Sequence, residues 1–311
     1  MKLISDFDGV WTNPEAEGAA HGAELDAAFE AAVGEGDRDV VRSWIANARA
    51  ALRAEPARWG WSIAGRISAF ADEDPFAEHG ALLHYIEGAR SSDPVAARLA
   101  AAAEGSVGSL AAFGGRAHVS GVARVEAQRG PGVTAAAAAA GRSLLERGVE
   151  VVVVSNSVAD KLARWFGHAR VPFTLHPQRA ARALRLRGSA KKFVLAPPGD
   201  APAASGGAPS PPDDVLALGS LEIVVARPHY EALLREEQPD AVVGDAFSLD
   251  LALPLALKRR EPAWRHVRLF WLVHPYTSER MSRAIARLPA GEVERVEGGL
   301  FEVSQRLGDS R

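Results

Sequence analysis

Two aspartates near the start of the chain stand two positions apart, after a short apolar run and just before a glycine (residues 4–12, ISDFDGVWT). A carboxylate can form a covalent intermediate that splits one difficult displacement into two easier steps. A second carboxylate can protonate the leaving group and later take a proton from the attacking water. We therefore predict that Asp6 is a nucleophile and Asp8 a general acid and base. A pair of turn-forming aspartates is the structural alternative.

Two other polar clusters follow apolar segments that read as β-strands. Residues 151–154 precede Ser155, Asn156 and Ser157, and residues 240–243 precede Gly244-Asp245. Strands are also predicted at 222–226, 267–273 and 293–296, with helices at 131–147, 228–237 and 248–257. This alternation predicts an α/β fold with a Rossmann-like parallel sheet core. Ligands of such sheets lie beyond the carboxyl ends of the strands, where these polar residues fall.

The spacing between Asp6 and Ser155 predicts an insertion, because a βαβ unit needs only about 30 residues. We expect a discontinuous core at 1–17 and 126–311 and an inserted, mostly helical cap at 18–125. Asp74-Pro75 and Asp93-Pro94 are typical helix starts. Residues 105–125 are glycine-rich, which favours a loop or a short strand in the return path. The Pro/Gly-rich stretch from about 196 to 214 is predicted to be a flexible loop.

Three of these segments resemble motifs of the haloacid dehalogenase (HAD) superfamily. Residues 4–12 look like motif I, 151–157 like motif II and 241–250 like motif IV. The resemblance implies the HAD fold, a cap inserted after motif I, and a Mg²⁺ cofactor held by Asp6, Asp245 and the backbone carbonyl of Asp8. Asp250 would bind the metal through water or orient Asp245, and as an alternative it could simply be an acid at a helix start. The resemblance also implies that Ser155 hydrogen-bonds the transferring phosphoryl group.

Motif III, normally a lysine, is less clear in this sequence. Arg227 precedes a proline at the end of a predicted strand, where many capped members carry Lys-Pro, so we rank it first. Lys192 ranks second and Lys191 third. The backbone amides of Asn156 and Ser157 are predicted to bind the same anion. In the cap, Trp61 and Arg66 are the candidates for substrate contact.

The resulting hypothesis is a Mg²⁺-dependent phosphohydrolase that acts on a small phosphorylated metabolite through an aspartyl-phosphate. Dehalogenases of this superfamily lack the second acid of motif I, so Asp8 argues against that chemistry. A phosphonatase needs a cap lysine, and residues 18–125 contain none. A phosphomutase or phosphotransferase and a non-catalytic HAD-like binding module stay open as alternatives.

Composition excludes several kinds of partner and cofactor. A net charge of −3 and a pI near 6.3 give no basic surface for nucleic acid. The absence of cysteine excludes disulfides and thiolate metal sites, so any metal must be held by oxygen or imidazole. No long apolar stretch predicts a membrane span, and the first strand leaves no room for a signal peptide. We expect a cytoplasmic protein; the oligomeric state is left open.

Overall fold

The computed structural model describes residues 1–176, 182–197 and 214–308. The chain divides into two compact units, one of Met1–Asn13 with Pro131–Arg311 and the other of Pro14–Gly130. Each boundary lies a few residues outside the predicted insertion of 18–125, because helices run up to the junctions. The predicted loop at 196–214 falls, apart from its ends, outside the described residues.

The chain opens with strand β1 (Lys2–Ser5) and then enters the inserted unit. This unit contains helices α1 (Glu15–Val33) and α2 (Arg38–Ala54), strands β2 (Gly60–Ile63) and β3 (Arg66–Phe70), and helices α3 (Ala77–Ala89), α4 (Pro94–Val107) and α5 (Leu110–Arg129). Its apolar core gathers side chains from all five helices, among them Phe29, Leu52, Leu82, Leu99 and Phe113. The expectation of a largely helical insertion therefore agrees with the elements observed.

One local expectation for the inserted unit was wrong, and one element was missed. Residues 110–129 form helix α5, not a loop or strand; Ser109 caps it by accepting a hydrogen bond from the Ala112 amide at 3.1 Å. Glycine serves close helix packing here, since a Cβ on Gly121 would lie 2.7 Å from the His21 amide nitrogen of α1. The hairpin of β2 and β3 was not predicted. Ala64 and Gly65 form its turn with positive φ angles, as tight hairpins require.

The core unit continues in chain order after the insertion. Its elements are α6 (Ala135–Glu146), β4 (Glu150–Val154), α7 (Ala159–His168), β5 (Phe173–Thr174), β6 (Leu184–Arg187), β7 (Val215–Leu218), β8 (Leu221–Val224), α8 (Pro228–Glu237), β9 (Ala241–Gly244), α9 (Phe247–Asp250), α10 (Ala252–Arg260), β10 (Arg268–Leu272), α11 (Glu279–Ile285), β11 (Glu294–Val296) and α12 (Gly299–Gly308).

Seven of these strands form one sheet in the order β11-β10-β9-β1-β4-β6-β5, and every pairing is parallel. The predicted Rossmann-like α/β core is thus confirmed as a parallel sheet flanked by helices. β1 lies at its centre, between β9 and β4. The central strands are almost wholly buried, as expected for apolar runs covered on both faces.

The structure corrects three details of the predicted core. The strand expected at 222–226 is β8, which pairs antiparallel with β7 in a separate hairpin. The helix expected at 248–257 is interrupted at Leu251, and Pro254 sits in the first turn of α10, where no intrahelical donor is needed. β6 was not predicted; its Leu-Arg alternation is the pattern of a half-buried strand, with the arginines expected on the exposed face. Arg185 of β6 is nevertheless buried, where it pairs with Glu237.

The lengths and hydropathies of the helices can be compared with what a membrane-spanning helix requires. Within the described ranges, no helix combines the length and the apolar character needed to cross a bilayer.

Candidate active site

Asp6 follows β1 directly, at the carboxyl end of the central strand. Its backbone N–H donates to the Val243 carbonyl of β9 at 2.9 Å, which continues the sheet ladder by one residue. Asp245 follows β9 and Asp250 ends α9, so both reach the same edge of the sheet. One carboxylate oxygen from each of Asp6, Asp245 and Asp250 lies within 4.8 Å of the other two. The structure therefore brings three of the predicted acids together.

The ammonium of Lys192 lies among these acids. Lys192 Nζ donates to Asp6 Oδ1 and, at 2.5 Å, to Asp250 Oδ1. Burial disfavours the charge of Lys192, but the two carboxylates outweigh it and raise the pKa of the ammonium. Burial and the charge of Asp250 raise the pKa of Asp6 despite the attraction of Lys192. Lys192 and the acids thus form one buried electrostatic cluster.

This geometry moves Lys192 ahead of Arg227, which the sequence ranked first, and leaves Lys191 last. Arg227 is fully buried and donates from Nη1 to the backbone carbonyl of Lys192 at 2.7 Å. Lys191 is exposed and has a positive φ of 51°. The cation in contact with Asp6 is Lys192, and Arg227 supports the backbone that carries it. The position of Arg227 before a proline predicted its place in the chain relative to a strand and a helix. It did not predict which atoms the guanidinium contacts.

The backbone at 155–157 holds the loop that carries Lys192. Amides of that loop donate to carbonyls there, Ser189 N to Ser157 O at 2.8 Å and Ala190 N to Ser155 O at 2.9 Å. Asn156 Oδ1 accepts from the Lys192 amide at 2.8 Å. The Asn156 side chain therefore helps to position Lys192. Anion binding by the Asn156 backbone amide stays a prediction.

Ser155 is buried directly after β4, as predicted. Its Oγ accepts a hydrogen bond from the Ser157 amide at 3.0 Å, which keeps the Ser155 hydroxyl proton for another acceptor. The Ser157 amide, predicted to face an anion, is thereby engaged within the turn. The Ser157 hydroxyl lies 3.3 Å from Asp8 Oδ2, as a donor to that carboxylate. Residues 155–157 therefore contact Asp8 as well as the Lys192 loop.

Asp245 is held by groups that the sequence did not single out. Tyr276 donates its hydroxyl to Asp245 Oδ2 at 2.9 Å, and Trp271 Nε1 donates to the Asp245 carbonyl at 2.9 Å. Gly9 has a φ of +75°, and a Cβ there would lie 2.1 Å from Asp245 Oδ2. Only glycine therefore allows the turn after Asp8 to pass so close to this carboxylate.

Asp250 is fixed through both its side chain and its backbone. Its Oδ2 accepts from the Ala246 amide at 3.2 Å, and Tyr230 donates to its carbonyl at 2.9 Å. Burial raises the pKa of the Tyr230 hydroxyl, which keeps it a neutral donor. No sequence motif indicated Tyr230 or Tyr276, because each reaches the acids only through the packing of a neighbouring element.

Asp8 is not one of the three clustered carboxylates, although its charge helps to raise the pKa of Asp6, and it has a cation of its own. Lys161 Nζ of α7 is 3.7 Å from Asp8 Oδ1. Sequence analysis did not select Lys161. A signal was present, because Lys161 shares the apolar helix face of Trp165, four positions later.

The two residues predicted to contact substrate, Trp61 and Arg66, both lie in strands of the inserted unit. Trp61 lies in β2 and packs against α3, where a Cβ on Gly80 would come 2.9 Å from Trp61 Cβ. Arg66 begins β3. Their role in substrate contact stays a prediction.

The donor set fits a hard divalent cation. Three carboxylates and the Lys192 ammonium carry a combined charge of −2 when ionised, which a divalent ion would neutralise. Mg²⁺ prefers oxygen ligands and is usually bound by one or two protein carboxylates with waters and phosphate oxygens. The backbone carbonyl of Asp8 as a further ligand stays a prediction.

No family model matches this sequence, and no curated protein or solved structure matches it either. The function must therefore be argued from the residues of the site.

Proposed function

We propose that the chain is a Mg²⁺-dependent phosphohydrolase that forms an aspartyl-phosphate on Asp6. One observation carries the proposal: Asp6, at the carboxyl end of the central strand, contacts the buried Lys192 ammonium within a group of three carboxylates. A structural ion pair needs one acid and one base. Three acids around one lysine leave excess negative charge in a buried place, which is costly without a cation.

In the first step, an oxygen of Asp6 attacks phosphorus as the ester P–O bond breaks. Asp8 donates its proton to the departing oxygen, so that an alcohol leaves. Lys192 offsets negative charge on the phosphoryl oxygens, and the Ser155 hydroxyl donates to one of them. Such fixed charges and donors supply most of the catalysis in phosphoryl transfer.

In the second step, water attacks the aspartyl-phosphate and Asp8 takes a proton from it. The bond between phosphorus and the Asp6 oxygen breaks, which frees inorganic phosphate and restores the carboxylate. Asp8 is thereby reprotonated for the next cycle, so one residue serves as acid and base in turn. Asp245 and Asp250 take no proton in this scheme; they hold Mg²⁺ together with Asp6.

The bound Mg²⁺ would act as a Lewis acid that lets an anionic nucleophile approach an anionic phosphoryl group. We further propose that the chain belongs to the HAD superfamily and acts on a small phosphorylated metabolite, with the inserted unit as its cap. The order of residues 4–12, 151–157 and 241–250 supports this assignment, with Lys192 as the motif III cation.

Turnover of 4-nitrophenyl phosphate with and without Mg²⁺ tests the proposed function. Asp6→Asn should lower kcat at least about 10³-fold, since it removes the nucleophile. Asp160→Asn is the matched control, because Asp160 is an exposed acid of α7; it should retain turnover.

Binding of fluoroberyllate, which mimics an acyl phosphate, provides a second readout and should be lost in Asp6→Asn only. Mg²⁺-dependent turnover that survives in folded Asp6→Asn would refute the proposal.

A further inference from the structure

Lys161 is a buried cation that the scheme above does not use. Its side chain is 7% exposed, and its Nζ lies 4.5 Å from the ring centroid of Trp165 and 5.8 Å from that of Phe7. A lysine rarely sits in such a place unless its charge has a partner. The aromatic faces attract the ammonium, and they restrict where it can lie. The lysine is therefore held in one direction, toward Asp8.

The two oxygens of the Asp8 carboxylate have different neighbours. Oδ2 is approached by the Ser157 hydroxyl at 3.3 Å, and Oδ1 by Lys161 Nζ at 3.7 Å. Oδ1 is buried and accepts no hydrogen bond from the part of the chain that the structure describes. The Asp8 side chain is otherwise 25% exposed, unlike that of Lys192, which is 3% exposed. Lys161 and Ser157 thus fix the rotation of a carboxylate that solvent still reaches.

The positive charges of the site are divided between two groups of acids. Lys192 contacts Asp6 and Asp250, whereas Lys161 faces Asp8. Lys161 therefore offsets charge at Asp8, whereas the three clustered carboxylates share Lys192 and keep excess negative charge. The two groups still interact, because the charge of Asp8 helps to raise the pKa of Asp6. This division separates the acid that would move protons from the acids that would hold a metal.

We propose that Lys161 is a positioning residue that holds Asp8 in the orientation required for proton transfer to the leaving oxygen. The inference rests on the proposed function, in which Asp8 protonates the leaving group. It makes Lys161 a determinant of leaving-group range. Esters of basic alcohols need the proton in the transition state, whereas a 4-nitrophenolate departs with little assistance. Loss of Lys161 therefore penalises alkyl phosphates selectively.

The kinetic test compares kcat/KM for an alkyl phosphate and for 4-nitrophenyl phosphate. Lys161→Met keeps the apolar stem against Trp165 and removes the charge. It should lose about 30-fold on the alkyl ester and less than about threefold on the aryl ester, a part of the roughly 10²–10⁴-fold that general acid catalysis contributes, because Asp8 itself remains. Lys161→Arg should recover part of the alkyl activity, because the charge returns. Lys258→Met is the matched control, since Lys258 of α10 is a part-buried lysine that donates to the Val267 carbonyl at 2.8 Å; it should change neither substrate more than about twofold.

A stability cycle tests the ion pair without any substrate. Lys161→Met should lower Tm by about 3 °C or more in the unaltered chain and by less than half of that in an Asp8→Asn background, where no carboxylate is left uncompensated. Additive Tm changes, or equal kinetic losses on both esters, would overturn the proposal. A chain that shows the coupling but hydrolyses no phosphate ester would instead refute the proposed function and reduce Lys161 and Asp8 to a structural pair.

Discussion

Replacing Lys192 by methionine is the sharpest perturbation of the acidic cluster. The Lys192 side chain is 3% exposed, and its ammonium lies between Asp6 and Asp250. Removing one partner of a buried ion pair costs about 3–5 kcal/mol, because the remaining charges stay buried without compensation. For a domain of this size such a loss lowers Tm by about 6 to 20 °C. Lys192→Met should therefore be clearly less stable than the unaltered chain in metal-free buffer.

Magnesium should restore part of this loss. With Lys192 removed, the charge of the ionised cluster changes from −2 to −3, so a divalent cation gains attraction at short range. If the affinity rises at least about tenfold, a saturating Mg²⁺ concentration adds about 1.4 kcal/mol more to the variant than to the unaltered chain. That difference corresponds to about 3–6 °C in Tm.

Thermal unfolding with and without Mg²⁺ measures this difference directly. Arg227→Met is the informative comparison, because Arg227 is also a fully buried cation but donates to the Lys192 carbonyl. It should lose stability as well, yet gain no more from Mg²⁺ than the unaltered chain. Equal Mg²⁺ increments for Lys192→Met and the unaltered chain would refute the assignment of Lys192. A larger increment in Arg227→Met would assign the role of the cluster's cation to that arginine.

Three further predictions concern Asp245 and a buried histidine. Tyr276→Phe removes the hydroxyl that donates to Asp245 at 2.9 Å, and calorimetry should show Mg²⁺ affinity weakened about tenfold; an unchanged Kd would contradict a role in orienting the ligand. Gly9→Ala should abolish Mg²⁺ binding, because its Cβ would lie 2.1 Å from Asp245 Oδ2, whereas Gly148→Ala, with a similar φ of +74° and open space around it, should only strain the backbone. Burial and neighbouring imidazoles lower the pKa of His21 to about 3, below the ~6.5 of an unfolded chain. Above about pH 6.5 the ring is neutral in both the folded and the unfolded chain, so His21 imposes no penalty on folding there. At pH 5 the unfolded chain binds a proton that the buried ring does not, which lowers the free energy of unfolding by about 2 kcal/mol. The Tm of His21→Leu should therefore fall less between pH 7 and pH 5 than that of the unaltered chain, and equal losses would argue against this assignment.

The central strands could be predicted because strands that are buried on both faces are apolar along their whole length. Residues 151–154 and 241–243 are wholly apolar, and each run ends at a polar residue beyond the sheet edge. Ser155 and Asp245 consequently lie at the carboxyl ends of β4 and β9, as predicted. β6 could not be found in the same way, because the burial of Arg185 depends on Glu237, 52 positions later in the chain.

The choice between Arg227 and Lys192 depended on tertiary contacts that local sequence does not encode. Lys192 enters the cluster because its loop is held by carbonyls of 155–157, and because Gly188 lets that loop pass close to α7; a Cβ on Gly188 would lie 2.4 Å from the Ala159 amide nitrogen. The strand at 222–226 was assumed to join the main sheet, which would have brought Arg227 to the sheet edge. It pairs with β7 instead, and Arg227 approaches the backbone of Lys192.

The composition nevertheless contained a signal for both buried lysines. The chain has five lysines and 31 arginines, so lysine is kept at few positions. Two of the five, Lys161 and Lys192, contact acids at the carboxyl end of the sheet. An ammonium is compact and can donate to two carboxylates at once, whereas a planar guanidinium needs more room and favours side-by-side pairing with one acid. In an arginine-rich chain, a lysine on an apolar helix face or in a loop after a glycine therefore indicates a site where only the smaller cationic group fits. Here the two lysines of this kind, Lys161 and Lys192, mark the two groups of acids.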